Sequence, residues 1–370
     1  MKRLLYILII LLSVPLTVKS QTTDDILNLL VQQNLLTPAL ADSIRAEAAI
    51  KNQDAEAKKK VFGVTSGRTV VLGGYTQVRY QNLDEPGKIN GFDVRRARLD
   101  VKGNISPYWS YRLQTDFAGS PKLLDAYAEW KLFDYMNFTV GQAKIPFSCE
   151  NLASSNKMEL IDRSQVVEAL VARGKDVIGN HNGRDIGVQA GGSLLKSVDR
   201  YLVDYKIGIF NGTGINASDK NEAKDVIGRL AVHPFKGLDV GGAFYSGWGN
   251  WDTIAAGRER SRFGIELNYI SSQFYIRGEY IKGTDGKIKR EGWYAQAGSY
   301  LIPAKLQLSG KYDNYNPNIA AVNDITVNYA MCVTYYFNNW VRIQGAYTWR
   351  EEQGADINNN IGVIQLQIGF

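Results

Sequence analysis

The chain has 370 residues and a formal net charge of +6, and it is rich in Tyr (21) and Gly (36) but poor in Pro (9). Its basic residues are spread among apolar ones and form no concentrated basic tail, which argues against a nucleic-acid-binding protein. After the first twenty residues no apolar run approaches the roughly 20 residues that a spanning helix needs, which argues against a helical membrane protein.

The first twenty residues have the pattern of a cleaved secretory signal peptide. Lys2 and Arg3 form a positive start, Leu4–Leu16 form an apolar core, and Val18–Ser20 offer modest side chains to a signal peptidase. A membrane anchor is the alternative, but the apolar stretch is short and nothing downstream resembles a stop-transfer pattern. We predict a signal peptide over residues 1–20.

Residues 21–66 differ from the rest of the chain because their apolar residues recur at near-helical spacing. Thr37-Pro38 begins a second helical stretch, since Pro is favoured at the first helical position after a Thr cap. The charged run Asp54–Lys60 and the linker Gly63–Gly67 follow. We predict a short helical periplasmic segment that contacts the cell-wall layer or other subunits of a trimer, or that is simply solvated.

From residue 67 to residue 370 the apolar residues recur with a period of two. Segments of about nine to thirteen residues alternate apolar and polar side chains, the length and pattern of tilted membrane strands. Arg262–Tyr269 and Val341–Arg350 are clear cases. About sixteen such segments occur, an even number typical of porins with an open lumen. Their predicted cores are residues 69–81, 92–103, 109–118, 121–131, 137–145, 184–195, 201–211, 224–233, 238–248, 260–270, 273–283, 288–302, 305–315, 324–337, 340–351 and 359–370.

The connections between these segments alternate in length. Short turns, such as Ser106-Pro107 and Pro303-Ala304, alternate with longer links rich in Gly, Asn and Asp, with a short link near Ser120 as an exception. Membrane barrels have this arrangement, with short periplasmic turns and longer outer loops. The sequence therefore predicts an all-β fold, a transmembrane antiparallel β-barrel of about sixteen strands over residues 67–370, with a short N-terminal α-helical segment.

A soluble β-sandwich is the alternative fold, but these segments are long for sandwich strands. The last segment is apolar at alternate positions up to Phe370, which resembles the signal read by the outer-membrane assembly machinery. We therefore predict a lipid-embedded protein of a Gram-negative outer membrane, with the N-terminal segment and the C-terminus in the periplasm. Aromatic residues near the segment ends agree with this prediction: Tyr80, Trp109, Trp130, Tyr269, Trp340 and Trp349.

Strand parity predicts which side chains face the lumen. A Lys or Arg on the lipid face costs roughly 2–4 kcal/mol at mid-bilayer, so the charged face of each strand points inward. Arg95 has the opposite parity and is expected at the rim or beside a β-bulge. Acidic residues such as Asp100 also face inward, so a mixed lumen of weak selectivity is the alternative to an anion path. The inward set includes Arg79, Arg96, Arg98, Lys102, Arg112, Asp116, Arg262, Arg277 and Arg342.

The longest outer connection covers residues 146–183. A connection of this length inside a compact protein is usually functional, and we expect it to fold into the lumen and narrow it. Lys157–Arg163 has helical character and charges that suit a pore lining. An outward-facing surface loop is the alternative.

Five motifs stand out along the predicted barrel: Gly73–Tyr75, Phe92–Arg98, Gln114–Ala118, Val140–Phe147 and Gly183–Gly187. They resemble the phosphate-selective porins O and P, a family of sixteen-stranded and usually trimeric barrels. The resemblance spans about residues 70–370. It implies that Arg95, Arg96 and Arg98 belong to a basic pathway. It also implies that Asp116 corresponds to an acidic residue of the constriction and Arg163 to a basic residue of a loop. The N-terminal helical segment looks like that of distant members from Bacteroidetes, in which phosphate specificity is not guaranteed.

These observations predict a porin for small, phosphate-like inorganic anions, with no cofactor, metal or nucleic acid, and the resemblance implies a homotrimer. A general diffusion porin, a plugged structural barrel and an outer-membrane enzyme are the alternatives. An enzyme of this kind needs a His near the outer rim, and the chain has only His181 and His233. Cys149 and Cys332 either form a disulfide or remain separate thiols.

Overall fold

A computed structural model describes residues 23–33, 35–37, 40–41, 44–45, 61–62, 68–84, 87–219, 221–249, 258–355 and 357–370. The predicted signal peptide, the charged run 54–60 and the linker 63–67 lie outside these ranges. No helix in the described ranges is long and apolar enough to cross a membrane.

The N-terminal segment contains helix α1 (Thr23–Gln32) and the start of a second helical stretch. Thr37 accepts a hydrogen bond from the backbone N–H of Leu40 through its hydroxyl at 3.3 Å, as an N-cap residue does. Arg45 donates to Asn28 Oδ1 at 2.5 Å and so joins the second stretch to α1.

The strands and the two further helices follow in chain order. Helices α2 (Cys149–Leu152) and α3 (Gln165–Leu170) both lie between β6 and β7. The strands are β1 (Val61–Phe62), β2 (Val70–Leu83), β3 (Gly91–Asn104), β4 (Trp109–Asp116), β5 (Lys122–Phe133), β6 (Met136–Lys144), β7 (Arg184–Lys196), β8 (Tyr201–Phe210), β9 (Asp225–Val232), β10 (Leu238–Gly249), β11 (Arg258–Ile270), β12 (Phe274–Asp285), β13 (Ile288–Ile302), β14 (Leu306–Asn316), β15 (Thr326–Tyr336), β16 (Val341–Glu352) and β17 (Ile361–Gly369).

Strands β2–β17 form a closed antiparallel barrel of sixteen strands, which confirms the predicted fold. Each strand pairs with the next, and β17 closes the ring against β2 from Ile361↔Leu83 to Gly369↔Tyr75. All sixteen predicted segments coincide with a strand to within a few residues. The short strand β1 was not predicted, and it pairs with the start of β2 (Val61↔Val71).

Burial in this barrel is the reverse of burial in a soluble protein. The large side chains on the outer surface are mostly apolar, such as Ile209, Phe263 and Ile364, each more than half exposed. Polar side chains such as Gln77 and Gln365 lie inside at 1% exposure. An apolar outside and a polar inside fit a barrel in lipid and do not fit a β-sandwich.

Aromatic pairs lie at both ends of the barrel. Trp109 and Trp130 stack at 5.7 Å beside the short turns, and Tyr347 and Trp349 meet at 4.6 Å toward the long connections. Girdles of this kind mark the two interfaces of a membrane barrel. The barrel therefore has an apolar outer band between two aromatic girdles.

Candidate functional site

The connection between β6 and β7 folds into the lumen, as its length led us to expect. Its residues bond to the inner wall on eight strands besides the flanking β6 and β7, so it crosses the interior instead of covering one side. The wall residues on these eight strands that bond to it include Gln77, Arg95, Arg260, Arg277, Lys311, Thr326, Gln344 and Gln367. We call residues 146–182 the inserted loop.

The base of the inserted loop is fixed by cations on backbone carbonyls. Lys144 Nζ donates to the carbonyls of Asn151, Leu152 and Ala153, each at 2.9 Å. Arg163 adds a bond to the carbonyl of Ala153 at 3.0 Å. The last carbonyls of a helix have no partner within it, so these cations satisfy the end of α2. Gly183, at φ 69°, closes the base where any Cβ would meet Asn151 Oδ1 at 1.7 Å.

The helical character expected for residues 157–163 is wrong, because this stretch has no helix. Its carbonyls are used by the wall: Gln344 donates to Glu159 O, Arg95 to Ile161 O and Lys311 to Asp162 O. A helix would use those carbonyls itself. The wall contacts therefore replace the intrahelical ladder, and the helices form on either side, at α2 and α3.

A β-bulge in β3 brings three arginines to one side of the wall. The register between β2 and β3 shifts at Gln77/Val78, so β3 carries one extra residue, Arg95, between Val94 and Arg96. Arg95 reaches the inserted loop, where it bonds Ile161 O at 2.8 Å and the carboxylate of Asp162. The bulge removes the conflict between parity, which puts Arg95 outside, and the family resemblance, which puts it in the basic pathway.

Arg98 lies where two lumen cavities meet. It lines both a cavity of about 390 Å³ on the long-connection side and one of about 750 Å³ on the short-turn side. Its Nε donates to Asp116 Oδ2 at 2.8 Å, and its Nη1 reaches Ser155 Oγ of the inserted loop at 3.5 Å. The side chain is 7% exposed. The Arg98–Asp116 pair and Ser155 of the loop therefore lie at the junction of the two cavities.

The smaller cavity contains cations that have neutral partners. Arg96 donates to Gln77 Oε1 at 2.7 Å, and Arg163 donates to backbone carbonyls and to Ser155 Oγ. Among the described residues no carboxylate lies within 4.0 Å of either guanidinium. Neither guanidinium therefore forms an ion pair, although the carboxylates of Asp116, Asp162, Glu168 and Asp313 line the same cavity. Further cations line the same cavity: Arg95, Arg98, Arg173, Lys175, Lys311 and Arg350.

The larger cavity opens among the short turns and is also basic. Asp100 is the single acidic residue on its described wall, and Arg112 holds that carboxylate in two hydrogen bonds at 2.8 and 3.1 Å. Arg342 donates to Gln367 Oε1 at 3.1 Å. The charged side chains on the wall of this cavity are therefore mostly positive. The basic residues that line it are Arg98, Lys102, Arg112, Lys157, Lys305 and Arg342.

Three of the predicted pathway residues line neither cavity. Arg262 is covered by α3, where it bonds Leu170 O at 3.1 Å and Asp285 at 2.6 Å. Arg277 bonds Glu159 of the inserted loop at 3.2 Å, and Arg79 bonds Asp93 at 2.8 Å. We therefore no longer place these three residues on an open path. The loop covers Arg262 and Arg277, and a carboxylate pairs with Arg79.

Four cations of the smaller cavity were not among the predicted site residues. Lys311 and Arg350 have the parity of the inward residues on their own strands, so a complete parity count finds them. Arg173 and Lys175 belong to the inserted loop, whose sequence has no periodic pattern from which its path could be predicted. Arg173 is held by Asn151 Oδ1 at 2.7 Å.

Asp162 joins the inserted loop to Arg95 and remains ionised at neutral pH. The surrounding wall opposes ionisation, yet the positive charges of Arg95, Arg79 and Lys311 hold the pKa of this carboxyl below its ordinary value of 3.8. A lowered folded-state pKa means that the contact is complete at neutral pH and is lost only when the pH falls through that lowered value.

We therefore expect single-channel current to be steady from neutral pH down to about pH 4, the ordinary pKa of an aspartate. Below that pH the current should become noisy, since the tip of the loop is released. Asp162→Asn should give the noisy current already at pH 7. The check is single-channel recording from pH 3 to 7, and an unchanged D162N trace at pH 7 would exclude this clamp.

The groups that could form a metal or redox site are engaged within the protein. Cys149 and Cys332 are separate free thiols, which decides between the two alternatives left by the sequence. Cys149, Glu266 and Glu279 are close enough to share an ion. However, Glu279 Oε1 already accepts from Cys149 Sγ, Glu150 N and Tyr294 Oη, and Glu266 accepts from Arg229 Nε at 2.7 Å.

Comparison with known structures places this barrel among the porins in fold. It is similar to OmpF of Salmonella typhi (14% identity, 82% of this chain and 98% of that one, TM-score 0.62). It is also similar to an anion-selective porin from Comamonas acidovorans (13%, 82% and 100%, TM-score 0.60) and to the trimer form of Vibrio cholerae OmpT (12%, 82% and 100%, TM-score 0.60). At these identities the likeness is one of fold alone.

Sequence comparisons match part of the chain. An uncharacterized protein of Aquifex aeolicus (strain VF5) is 26% identical over 263 residues, and the match spans 60% of this chain and 60% of that protein's length. The family model for the phosphate-selective porins O and P matches residues 70–238, which include the bulge, the Arg98–Asp116 pair and the inserted loop. Over residues 70–238 the chain is therefore similar to the phosphate-selective porins O and P.

Proposed function

We propose that this porin forms a water-filled channel that favours small anions over cations. The observation that carries the proposal is the pair Arg96 and Arg163, which line the smaller cavity and have only neutral partners among the described residues. Uncancelled cations in a narrow lumen raise the local concentration of anions. The planar fork of Arg also offers paired donors to an oxyanion.

Phosphate or polyphosphate is the finer candidate solute, and it rests on the family resemblance at Arg95, Arg96, Arg98, Asp116 and Arg163. The anion-selective porin with the same fold supports the coarser class of solute. Lys102, Arg112 and Arg342 extend the positive wall toward the short turns and form the second half of the proposed path.

The channel lies, in this proposal, in the outer membrane with its short turns toward the periplasm. The apolar band and the two aromatic girdles support the membrane position. The N-terminal segment enters through β1 at the start of β2, on the same side as Phe370, so both termini are periplasmic. A homotrimer is the proposed assembly, in line with the trimer form of Vibrio cholerae OmpT.

The histidines support a channel over an enzyme. His181 Nδ1 accepts from the backbone N–H of Ile215 at 3.2 Å, and Nε2 bonds Ile178 O at 2.8 Å. With both ring nitrogens engaged, this imidazole has no free position from which to take a proton. His233 lies at a short turn between Asp239 and Asp204.

The test is the planar-bilayer conductance of the refolded protein in a KCl gradient, followed by titration with phosphate. A reversal potential that shows anion preference supports the channel, and block of the chloride current by low phosphate supports the phosphate-type solute. Equal permeability would indicate a general diffusion porin, and cation preference would contradict the electrostatic argument. Absence of conductance would favour a plugged barrel or an enzyme.

The outer-membrane assembly machinery is the proposed partner of Phe370. This residue exchanges backbone hydrogen bonds with Gly74 at 3.0 and 3.2 Å, and its ring occupies the space where a Cβ on Gly74 would lie. Deletion of Phe370 should lower the amount of heat-modifiable barrel in outer membranes severalfold, whereas Phe370→Tyr should retain it. Equal amounts of barrel from the deletion and the parent would contradict this role.

A further inference from the structure

One part of the lumen wall is apolar, although the rest of the wall is polar. Cys332, Ala346 and Val363 are directly paired across β15, β16 and β17 and all face inward. Ala330 and Ile361 extend the patch by one further position along their strands. The neighbouring row on the same strands is Thr334, Gln344 and Gln365, which is the ordinary polar lining of a porin. We call Ala330, Cys332, Ala346, Ile361 and Val363 the apolar patch.

Packing of the inserted loop explains only part of this patch. Leu160 and Ile161 lie against it, and Cys332 is covered at 1% exposure. Ala330 and Val363 pack against the same loop residues and keep 9% and 6% of their surface exposed, and this remaining surface lines the smaller cavity together with Ala346. An apolar wall beside water is unfavourable unless something apolar covers it, because exposed apolar surface costs free energy in proportion to its area.

The apolar patch begins where the arginines end. Arg95 Nη1 reaches Gln365 Oε1 at 3.4 Å, and Gln365 is two residues along β17 from Val363. The same cavity therefore has guanidinium groups on one side and aliphatic side chains next to them. Its volume of about 390 Å³ falls within the roughly 300–1,000 Å³ typical of sites for whole organic molecules.

We infer that the smaller cavity binds amphipathic organic anions, namely carboxylates with a short aliphatic tail, more tightly than inorganic anions. The carboxylate lies against Arg96 and Arg163, and the tail lies on Ala330, Ala346 and Val363. This inference rests on the proposed anion channel and adds the class of solute. An oxyanion without a tail uses the arginines and leaves the apolar patch in contact with water.

The test measures block of the single-channel chloride current by acetate, butanoate, hexanoate and phosphate at pH 7. The apparent dissociation constant is expected to fall along the carboxylate series, by up to roughly fourfold for each fully buried methylene. Equal constants for acetate and hexanoate would overturn the inference. A channel with no anion preference in the KCl gradient would instead defeat the proposed function, so the two failures are distinguishable.

Two variants on the same wall separate the tail from the charge. Val363→Thr should raise the hexanoate constant roughly fourfold and leave the phosphate constant unchanged. Thr348→Val, beside Ala346 on the inner face of β16, should lower the hexanoate constant. Unchanged KCl conductance shows that each variant has folded. Equal shifts for hexanoate and phosphate, or no shift for either variant, would contradict a tail-binding wall.

Discussion

Replacement of Arg98 by Gln should lower the anion-to-cation permeability ratio by an order of magnitude. The variant removes the cation at the junction of the two cavities and leaves Asp116 without its counter-charge. A unit charge about 4 Å from an ion changes the energy of that ion by about 1 kcal/mol even at the dielectric constant of water. Anions and cations respond in opposite senses, so the ratio changes by on the order of tenfold.

The matched variant is Asp116→Asn, which should change selectivity in the opposite direction. It leaves Arg98 as an uncancelled cation at the same place, and so it should raise the anion preference. The double variant removes both charges and should return close to the parent ratio, which is the outcome for two residues that act as a pair. The measurement is the reversal potential at low salt, since salt screens charges beyond about 10 Å at 0.1 M.

A parent-like ratio in Arg98→Gln would place the narrowest point away from this pair. Removal of one partner of a buried ion pair destabilises a protein by roughly 3–5 kcal/mol, so a folding defect has to be distinguished from a change in selectivity. Heat-modifiable migration of each variant and its KCl conductance therefore serve as the fold controls.

The barrel could be predicted from the sequence because lipid imposes a strict alternation on every strand. A charge on the outer face is costly, so the period of two continues along β11, β16 and β17 and fixes their inward residues. Strand bounds were accurate because turns of Gly, Asn and Pro interrupt that period. The same logic applied to Lys311 and Arg350 would have added two cavity residues.

The lumen could be predicted only in part because its shape depends on long-range contacts. Strand parity assigns Arg95 to the wrong face, because one extra residue in β3 moves this side chain to the inside. The stretch 157–163 was predicted to be helical because its carbonyl partners, Gln344, Arg95 and Lys311, lie on strands that its local sequence does not reveal. Arg98 lines both cavities, and this position also depends on the inserted loop, which lies between them.

Removal of the inserted loop is expected to have the largest effect on conductance. Ile145 N bonds Gly183 O at 3.1 Å, and Lys144 is paired with Arg184, so the ends of β6 and β7 already lie side by side. Residues 146–182 can therefore be replaced by Asn-Gly, a turn that suits two-residue hairpins. The charged wall residues that the loop covers, such as Arg260 and Arg262, would then face lumen water.

Single-channel conductance of this loop replacement should rise severalfold, and block by phosphate or hexanoate should disappear, because Arg163 and the divide between the two cavities are both lost. The strand arginines remain, so a weak anion preference should persist in the reversal potential. A matched control shortens the β14–β15 connection, residues 317–325, which lies outside the cavities, and it should leave conductance unchanged. If the loop replacement conducts like the parent, the ion path does not pass the inserted loop, and Arg98 and Asp116 are not at its narrowest point.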